Sequence, residues 1–207
     1  MDGQMNVVEH WDIAVQELSE RDKILKNIIS NYRGERLKLK SDGFLTLARA
    51  IVGQQISVKA ADTIWKRLEI TANGNISRTR IRELSTELLR KTGLSSQKTS
   101  YLRNIAESEV LRTDWDECSD EKITELLCTI KGIGKWTAEM FLIFHLARPN
   151  ILPLADIGLI RAIEKNYNDG NGMSKEQFDG LGQKWSPWCT VTTWYLWRSL
   201  DPIPVEY

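Results

Sequence analysis

Two glycines stand two positions apart between stretches of helical character, in the segment TIKGIGKWTAEM at residues 129–140. Because glycine lacks a Cβ, Gly132 and Gly134 would let a large anion approach the backbone closely. A helix beginning near Gly134 would turn its free N–H groups and the positive end of its dipole toward that anion. Lys131 and Lys135 add positive charge on either side. The pattern predicts a phosphate-binding turn of helix-hairpin-helix type, although an ordinary tight turn explains it equally well at this point.

A single carboxylate, Asp156, ends the apolar run ILPLA and directly precedes a predicted helix. Aspartate is a favoured helix N-cap, because its side-chain oxygen accepts a hydrogen bond from an N–H group of the first turn. A capping role and a chemical role are compatible for the same side chain. Asp156 is therefore both a predicted cap and a candidate catalytic residue.

The composition limits the class of protein. The chain has 207 residues, 42% hydrophobic and 27% charged, with eight tryptophans, which is typical of one globular domain or two small ones. Lys plus Arg equals Asp plus Glu, 28 against 28, so net charge alone gives no sign of a polyanionic partner. A basic block at 78–103 and an acidic block at 107–125 are expected to be solvated helix faces.

The number of cysteines and the hydropathy pattern argue against disulfides, a cysteine metal site and a membrane span. Three cysteines, at 118, 128 and 189, can form neither a disulfide framework nor a four-cysteine metal or iron-sulfur site. We expect reduced thiols, two of them buried. No apolar run is long enough for a membrane span and the start has no signal-peptide pattern, so we expect an intracellular protein.

The elements that must position these residues are helices. Apolar residues recur at intervals of three and four, alternating strand patterns are nearly absent, and Ser174 with Gln177 forms a predicted capping box. Ser186 and Pro187 predict a further helix start. The fold class is all-α, with eight to ten helices predicted at residues 7–30, 42–52, 57–69, 79–91, 96–109, 119–128, 134–147, 157–167, 174–184 and 187–200.

Four blocks in this order and spacing resemble the helix-hairpin-helix DNA glycosylases, in particular their 3-methyladenine DNA glycosylase II branch. They are LARAIVGQQISVKAADTIWKRL (47–68), LLCTIKGIGKWTAEMFLIF (126–144), LPLADIGLIRA (152–162) and WSPWCTVTTWYLWR (185–198). The resemblance implies two helical lobes around a cleft. We assign residues 43–135 to the lobe that ends in the hairpin, and residues 1–42 with 136–207 to a discontinuous second lobe.

The resemblance implies that Asp156 is catalytic. Cleavage of an N-glycosidic bond develops positive charge on the deoxyribose, which one carboxylate can stabilise while it orients or deprotonates the attacking water. In bifunctional members of the family a lysine stands two residues after the second hairpin glycine. Trp136 occupies that position here, and Lys135 points about 100° away around the helix. We therefore expect a monofunctional enzyme.

The resemblance also implies the remaining site residues. Trp136, Met140 and Trp188 correspond to the base pocket, where aromatic faces would hold a positively charged alkylated base. Gln55, with Gln54 beside it, corresponds to the wedge that fills the gap left by a flipped base. The expected phosphate-binding residues are Gly132, Ile133, Gly134, Lys135 and Thr137.

Simpler roles are possible for some of these residues. The alternative for Gln54 and Gln55 is that they lie on an exposed loop. The alternative for Trp136 and Trp188 is packing in the core, as we expect of Trp185, Trp194 and Trp197.

The expected partner is double-stranded DNA with damaged bases, bound by a monomer that has no membrane association. No cofactor or metal site is expected, apart from a monovalent cation that the family sometimes holds at the hairpin carbonyls. Two alternatives stay open: a non-catalytic helix-hairpin-helix module that binds DNA, and a glycosylase for deaminated or oxidised bases.

Overall fold

The computed structural model describes residue 8, residues 10–40 and residues 42–201, and in these ranges it contains helices and no strand. This confirms the all-α class. None of the helices in this part of the chain is long and apolar enough to cross a membrane. The α-helices are α1 (Trp11–Arg21), α2 (Lys23–Asn31), α3 (Gly43–Gly53), α4 (Val58–Thr71), α5 (Arg78–Glu83), α6 (Thr86–Lys91), α7 (Ser96–Glu107), α8 (Asp120–Cys128), α9 (Lys135–Phe144), α10 (Ile157–Tyr167), α11 (Lys175–Trp185) and α12 (Cys189–Leu200), with a 3-10 turn at Glu109–Arg112.

Two predicted helices are each divided by a side-chain cap, which is why the predicted number was too low. Asp22 lies between α1 and α2 with φ −140° and ψ 107°, and its carboxylate accepts from the N–H groups of Ile24 and Leu25. Ser85 starts α6 in the same way by accepting from the N–H of Leu88. A capping side chain starts a new helix even where the apolar periodicity continues through it.

The predicted start of the last helix at residue 187 was wrong. Ser186 is the C-cap of α11, the Ser186–Pro187 peptide is cis, and α12 begins at Cys189 after the N-cap Trp188. The capping box at the start of α11 is confirmed, because the Ser174 and Gln177 side chains each bond the other's backbone N–H.

The chain divides into two compact units. One is discontinuous and contains the described residues up to Leu39 and from Ala147 onward, where α12 packs on α1, α2, α10 and α11. The other runs from Lys40 to Leu146, with α9 packed on α3 and α8. We predicted a boundary after residue 135, whereas the second unit extends to 146, because α9 is buried from residue 137 to residue 144 and packs on α3 and α8.

Two arginines of the basic block at 78–103 donate hydrogen bonds to backbone carbonyls at the ends of helices. The guanidinium of Arg78 donates to the carbonyls of Ala106 and Ser108 at the end of α7, and Arg103 donates to the carbonyl of Leu84 after α5. Cations are favoured at helix C-termini, where carbonyls lack partners within the helix. These arginines therefore stabilise the second unit and are not only a solvated face.

One of the three cysteines is buried, whereas the sequence predicted two. Cys189 is 4% exposed, and burial raises the pKa of its thiol to about 11. Cys128 is exposed because the adjacent Leu127 takes the buried face of α8. All three thiols are free.

Candidate active site

The turn between α8 and α9, residues 129–134, is the predicted hairpin, and its two glycines have different roles. Gly132 has φ +107°, and a Cβ built on it would lie 2.2 Å from Cγ of Tyr101. Gly134 has φ −104°, and a Cβ there would meet no atom within 4 Å. Gly132 is thus required by the fold of the second unit itself, while Gly134 leaves open space for an external group.

Substitution of each glycine by alanine separates these roles. We expect Gly132→Ala to lower the free energy of unfolding by about 2 kcal/mol or more, because it combines left-handed backbone strain with overpacking against Tyr101. The matched variant Gly134→Ala is expected to lose less than about 1 kcal/mol, the cost of a poorer N-cap, while weakening binding to duplex DNA. Urea unfolding and a duplex-binding titration measure both. Equal stability of the two variants would contradict this division.

The start of α9 can receive an anion. Gly134 is its N-cap and makes no side-chain capping hydrogen bond, whereas Ser119 caps α8 through its hydroxyl. The N–H groups of the first turn are therefore available to an external acceptor. The side chain of Lys135 is 77% exposed beside them. This arrangement suits a phosphate oxygen.

Two predicted hairpin residues face inward. Ile133 is 5% exposed, and its N–H donates to the carbonyl of Ile130, which closes the turn. Thr137 is 2% exposed, and its hydroxyl accepts from Nε2 of Gln54 at 3.1 Å. In this structure both residues support the hairpin from inside, so their predicted contact with phosphate would have to come from the backbone.

The loop between α3 and α4, residues 54–57, separates the two glutamines of the predicted wedge. Gln54 is half-buried, and its Nε2 also donates to the carbonyl of Gly132 at 3.2 Å. Gln55 is exposed and has φ +58°, an uncommon conformation for a residue other than glycine. Gln54 was predicted to be part of the wedge, but in this structure its amide is bonded to the hairpin. Gln55 stays the wedge candidate.

Side chains that the sequence analysis missed hold the same region. Nδ2 of Asn104 donates to the carbonyl of Lys131 at 2.8 Å, and Nζ of Lys98 donates to the carbonyl of Val52 at 2.7 Å. A polar cavity of about 420 Å³ lies here, with Gln55, Lys98 and Tyr101 in its lining. Lys98 belongs to the basic block at 78–103, whose members were expected to face solvent, whereas Asn104 lies just beyond that block.

Asp156 caps α10, as predicted. Its Oδ1 accepts from the N–H of Leu159 at 2.7 Å and from the indole Nε1 of Trp197 at 3.0 Å. A Cβ at Gly158 would lie 3.0 Å from the same oxygen, so the glycine leaves room for the carboxylate. The side chain of Asp156 is half-buried. The carboxylate is thus fixed by a helix N-terminus and an indole, and it can present negative charge to a reacting group.

Trp197, which was predicted to be a core residue, also contacts the candidate catalytic residue Asp156. It is 6% exposed, as a core residue would be, and its indole N–H is the donor to Asp156. Trp185 and Trp194 are 0% and 2% exposed, which confirms them as core residues. A buried tryptophan usually donates a hydrogen bond from its indole N–H, and this tendency was the available signal in the sequence.

The three residues of the predicted base pocket differ in exposure. In the second unit Trp136 is half-buried and Met140 is 0% exposed, so Met140 offers no surface to a ligand in this structure. In the discontinuous unit Trp188 stacks on His10 at 5.4 Å between ring centroids, and its Nε1 donates to Glu17 at 2.8 Å. Their contact with a base stays a prediction.

Lys135 faces a buried acid. Its Nζ lies 3.7 Å from Oε1 of Glu139, one turn along α9, whose side chain is 8% exposed. The sequence analysis did not consider Glu139. No cluster of three or more His, Cys, Asp or Glu that could hold a metal occurs among the residues the structure describes.

Comparison with known proteins identifies the family of the chain. The model of the HhH-GPD superfamily base excision DNA repair proteins matches residues 48–187. The chain is 31% identical over 195 residues to DNA-3-methyladenine glycosylase 1 of Schizosaccharomyces pombe, a match to 91% of this chain and 86% of that protein.

Solved structures are also similar to the chain, and two of them show the extent of the similarity. The Schizosaccharomyces pombe 3-methyladenine DNA glycosylase in complex with abasic DNA matches with a TM-score of 0.80 and 32% identity, over 90% of this chain and 96% of that one. The Bacillus halodurans DNA-3-methyladenine glycosidase matches with a TM-score of 0.74 and 35% identity, over 90% and 88%. The chain therefore belongs to the HhH-GPD superfamily of base excision DNA repair proteins.

Proposed function

We propose that the chain is a monofunctional DNA glycosylase that flips alkylated purines of the 3-methyladenine type out of duplex DNA and hydrolyses their N-glycosidic bond. The product is an abasic site in an intact strand. The names of its relatives, which are 3-methyladenine glycosylases, support this substrate class. The half-buried Asp156, held by Leu159 and Trp197, is the observation that carries the proposal.

The reaction requires little acid catalysis. A 3-methylated adenine carries a positive charge in the nucleotide, so the electron pair of the breaking C1′–N bond neutralises the departing base. The sugar becomes oxocarbenium-like, and a nearby carboxylate stabilises that charge. Water then adds to C1′, and its proton passes to Asp156 or to solvent. One carboxylate is therefore sufficient for this class of leaving group.

The hairpin supplies the contact with DNA. The uncapped start of α9 and the exposed Lys135 would bind one backbone phosphate, which positions the protein without reading sequence. With a net charge of zero, the protein would make few phosphate contacts, and its affinity would depend only modestly on salt. Trp136 and Trp188 would offer aromatic faces to a cationic base.

The substrate class is tested by comparing three duplexes that carry methylated purines, hypoxanthine or 8-oxoguanine. We expect single-turnover release to be fastest from the methylated duplex, since only its bases leave from a cationic nucleotide. Faster release of hypoxanthine or 8-oxoguanine would transfer the assignment to deaminated or oxidised bases. Binding to all three without any release would favour the non-catalytic module.

We predict that base release occurs without strand cleavage. Trp136 stands where bifunctional relatives carry the nucleophilic lysine, and the nearby ammonium of Lys135 is paired with Glu139. On a denaturing gel the damaged strand should break only after alkali, and borohydride should trap no covalent complex between protein and DNA. Prompt cleavage that disappears in Lys135→Ala would show that the lysine acts as an amine nucleophile and would contradict this prediction.

A further inference from the structure

The 54–57 loop has few hydrogen bonds of its own to hold its conformation. The N–H of Gln54 donates to the carbonyls of Ala50 and Ile51, and the N–H of Ile56 donates to the carbonyl of Gly53 at 3.3 Å. At the other end Ser57 caps α4, where its carbonyl and hydroxyl accept from N–H groups of the first turn. Gln55, in the left-handed region with φ +58°, lies between Gln54 and Ile56. A residue with a Cβ is held in that conformation only where surrounding contacts fix it. The bond from the N–H of Ile56 to the carbonyl of Gly53 closes the turn around Gln55, and two side-chain contacts from outside the loop add to it.

The first such contact is the amide of Gln54. Its Nε2 reaches two parts of the hairpin at once, the carbonyl of Gly132 at 3.2 Å and the hydroxyl of Thr137 at 3.1 Å. Gly132 belongs to the turn and Thr137 to the first turn of α9, and Thr137 is 2% exposed. One amide therefore joins the loop to both sides of the point where a phosphate would bind.

The second contact is the ammonium of Lys98 on α7. Its Nζ donates to the carbonyl of Val52 at 2.7 Å, two residues before Gln54, at the end of α3. Carbonyls in the last turn of a helix lack partners within the helix, and a cation is favoured there. Lys98 is half-buried, and burial lowers its pKa. A desolvated ammonium on this carbonyl fixes the point at which the chain leaves α3.

We propose that Gln54 and Lys98 are positioning residues that hold the 54–57 loop at a fixed distance from the hairpin, so that Gln55 enters the duplex in register with the bound phosphate. This rests on the proposed function, in which Gln55 fills the gap left by a flipped base. The two side chains act through Gln55 and not through contact with DNA. Their contribution should therefore disappear when Gln55 is absent.

The variants are chosen to remove one contact each. Gln54→Ala removes the link to the hairpin, and Lys98→Met removes the ammonium while it keeps an apolar side chain of similar length. Lys98→Arg retains a cationic donor and serves as the rescue variant. The control is Gln97→Ala, because Gln97 lies in the first turn of α7, beside Lys98, and its amide donates to the hydroxyl of Tyr101 rather than to the loop. Thermal unfolding of each variant establishes that it is folded.

Two measurements report on insertion. The first is the fluorescence of 2-aminopurine placed beside a tetrahydrofuran abasic analogue, which changes when a side chain enters the duplex and which needs no chemistry. The second is the single-turnover release rate from methylated duplex. We expect Gln54→Ala and Lys98→Met to bind undamaged duplex as the wild type does, to lose most of the fluorescence change, and to release base about ten-fold more slowly. Lys98→Arg and Gln97→Ala should behave as the wild type.

Double variants decide whether the effect passes through Gln55. If it does, adding Gln54→Ala or Lys98→Met to Gln55→Ala should cause no further loss, whereas a general structural role would make the losses multiply. The inference is overturned if the losses multiply, if the single variants keep the full fluorescence change, or if Gln55→Ala itself has no effect. If the wild type releases no base, the proposed function fails, but the fluorescence and binding measurements still decide the inference.

Discussion

Asp156→Asn is expected to abolish base release while binding to duplex DNA survives. Removal of one preorganised electrostatic contact to the transition state costs about 10²–10³ in rate, and loss of a general base costs about 10²–10⁴. Because Asp156 would serve in both roles, we expect single-turnover release to fall by about 10³-fold or more. The measurement is the release rate from methylated duplex, together with the dissociation constant for a duplex with a tetrahydrofuran site.

The structure explains why this substitution isolates the charge. Asparagine is as good an N-cap as aspartate, and its side-chain oxygen can still accept from the N–H of Leu159 and the indole of Trp197. Asp42→Asn is a matched control, because Asp42 caps α3 in the same way through the N–H groups of Phe44 and Leu45 and is exposed. Asp42→Asn should keep the wild-type rate. An Asp156→Asn protein that retained more than about a tenth of the rate would show that the carboxylate is not catalytic.

Asp22→Ala is expected to lower the free energy of unfolding by about 3 kcal/mol, more than Asp42→Ala or Gly134→Ala. Asp22 is 1% exposed at the junction of α1 and α2. Its removal would uncap α2 and leave five donors without this acceptor, of which the ammonium of Lys184 is exposed. The donors are the backbone N–H groups of Ile24 and Leu25, the hydroxyl of Tyr167, the indole N–H of Trp185 and the ammonium of Lys184.

A second aspartate separates the cap from the buried network. Asp42 also accepts from two N–H groups at a helix start but is exposed, so Asp42→Ala should cost only about 1 kcal/mol, the usual value of a cap. Chemical unfolding of the two alanine variants measures the difference. Equal losses would mean that the contacts of Asp22 with Tyr167, Trp185 and Lys184 contribute nothing to stability.

The contribution of Asp22 depends on pH in a defined direction. Burial alone would raise the pKa of this carboxyl, but hydrogen bonds from Lys184, the N–H of Leu25, Trp185 and Tyr167 outweigh burial and lower it below its ordinary value of 3.8. A lowered pKa in the folded state means that the stabilisation is present above about 3.8 and is lost as the pH falls through the folded value. The stability difference between wild type and Asp22→Ala should therefore be constant near neutral pH and should shrink in acid.

Local signals in the sequence predicted the parts of the site that depend on neighbouring residues. The capping role of Asp156 and the hairpin glycines follow from helix starts and turns, whose hydrogen bonds join residues within four positions of one another. For the same reason the capping box at Ser174 was predicted correctly. The missed break at Asp22 has the opposite cause, because the apolar spacing of α1 and α2 continues across the cap.

Contacts between distant residues could not be predicted in this way. Gln54 and Gly132 are 78 positions apart, and Asp156 and Trp197 are 41 apart, so neither pairing leaves a periodic trace in the chain. The individual residue types were consistent with simpler roles, an exposed amide and a core tryptophan. Only the packing of α3 against α9 and of α10 against α12 brings each donor to its acceptor.

The catalytic role of Asp156 is tested most directly on duplex treated with a methylating agent, from which the released free base is identified by mass spectrometry. We expect free 3-methyladenine in the supernatant with the wild type and with Asp42→Asn, and none above background with Asp156→Asn. The DNA strand should stay intact until alkali is added. No released base from the wild type, or equal release from Asp156→Asn, would contradict the claim that Asp156 drives hydrolysis of the N-glycosidic bond.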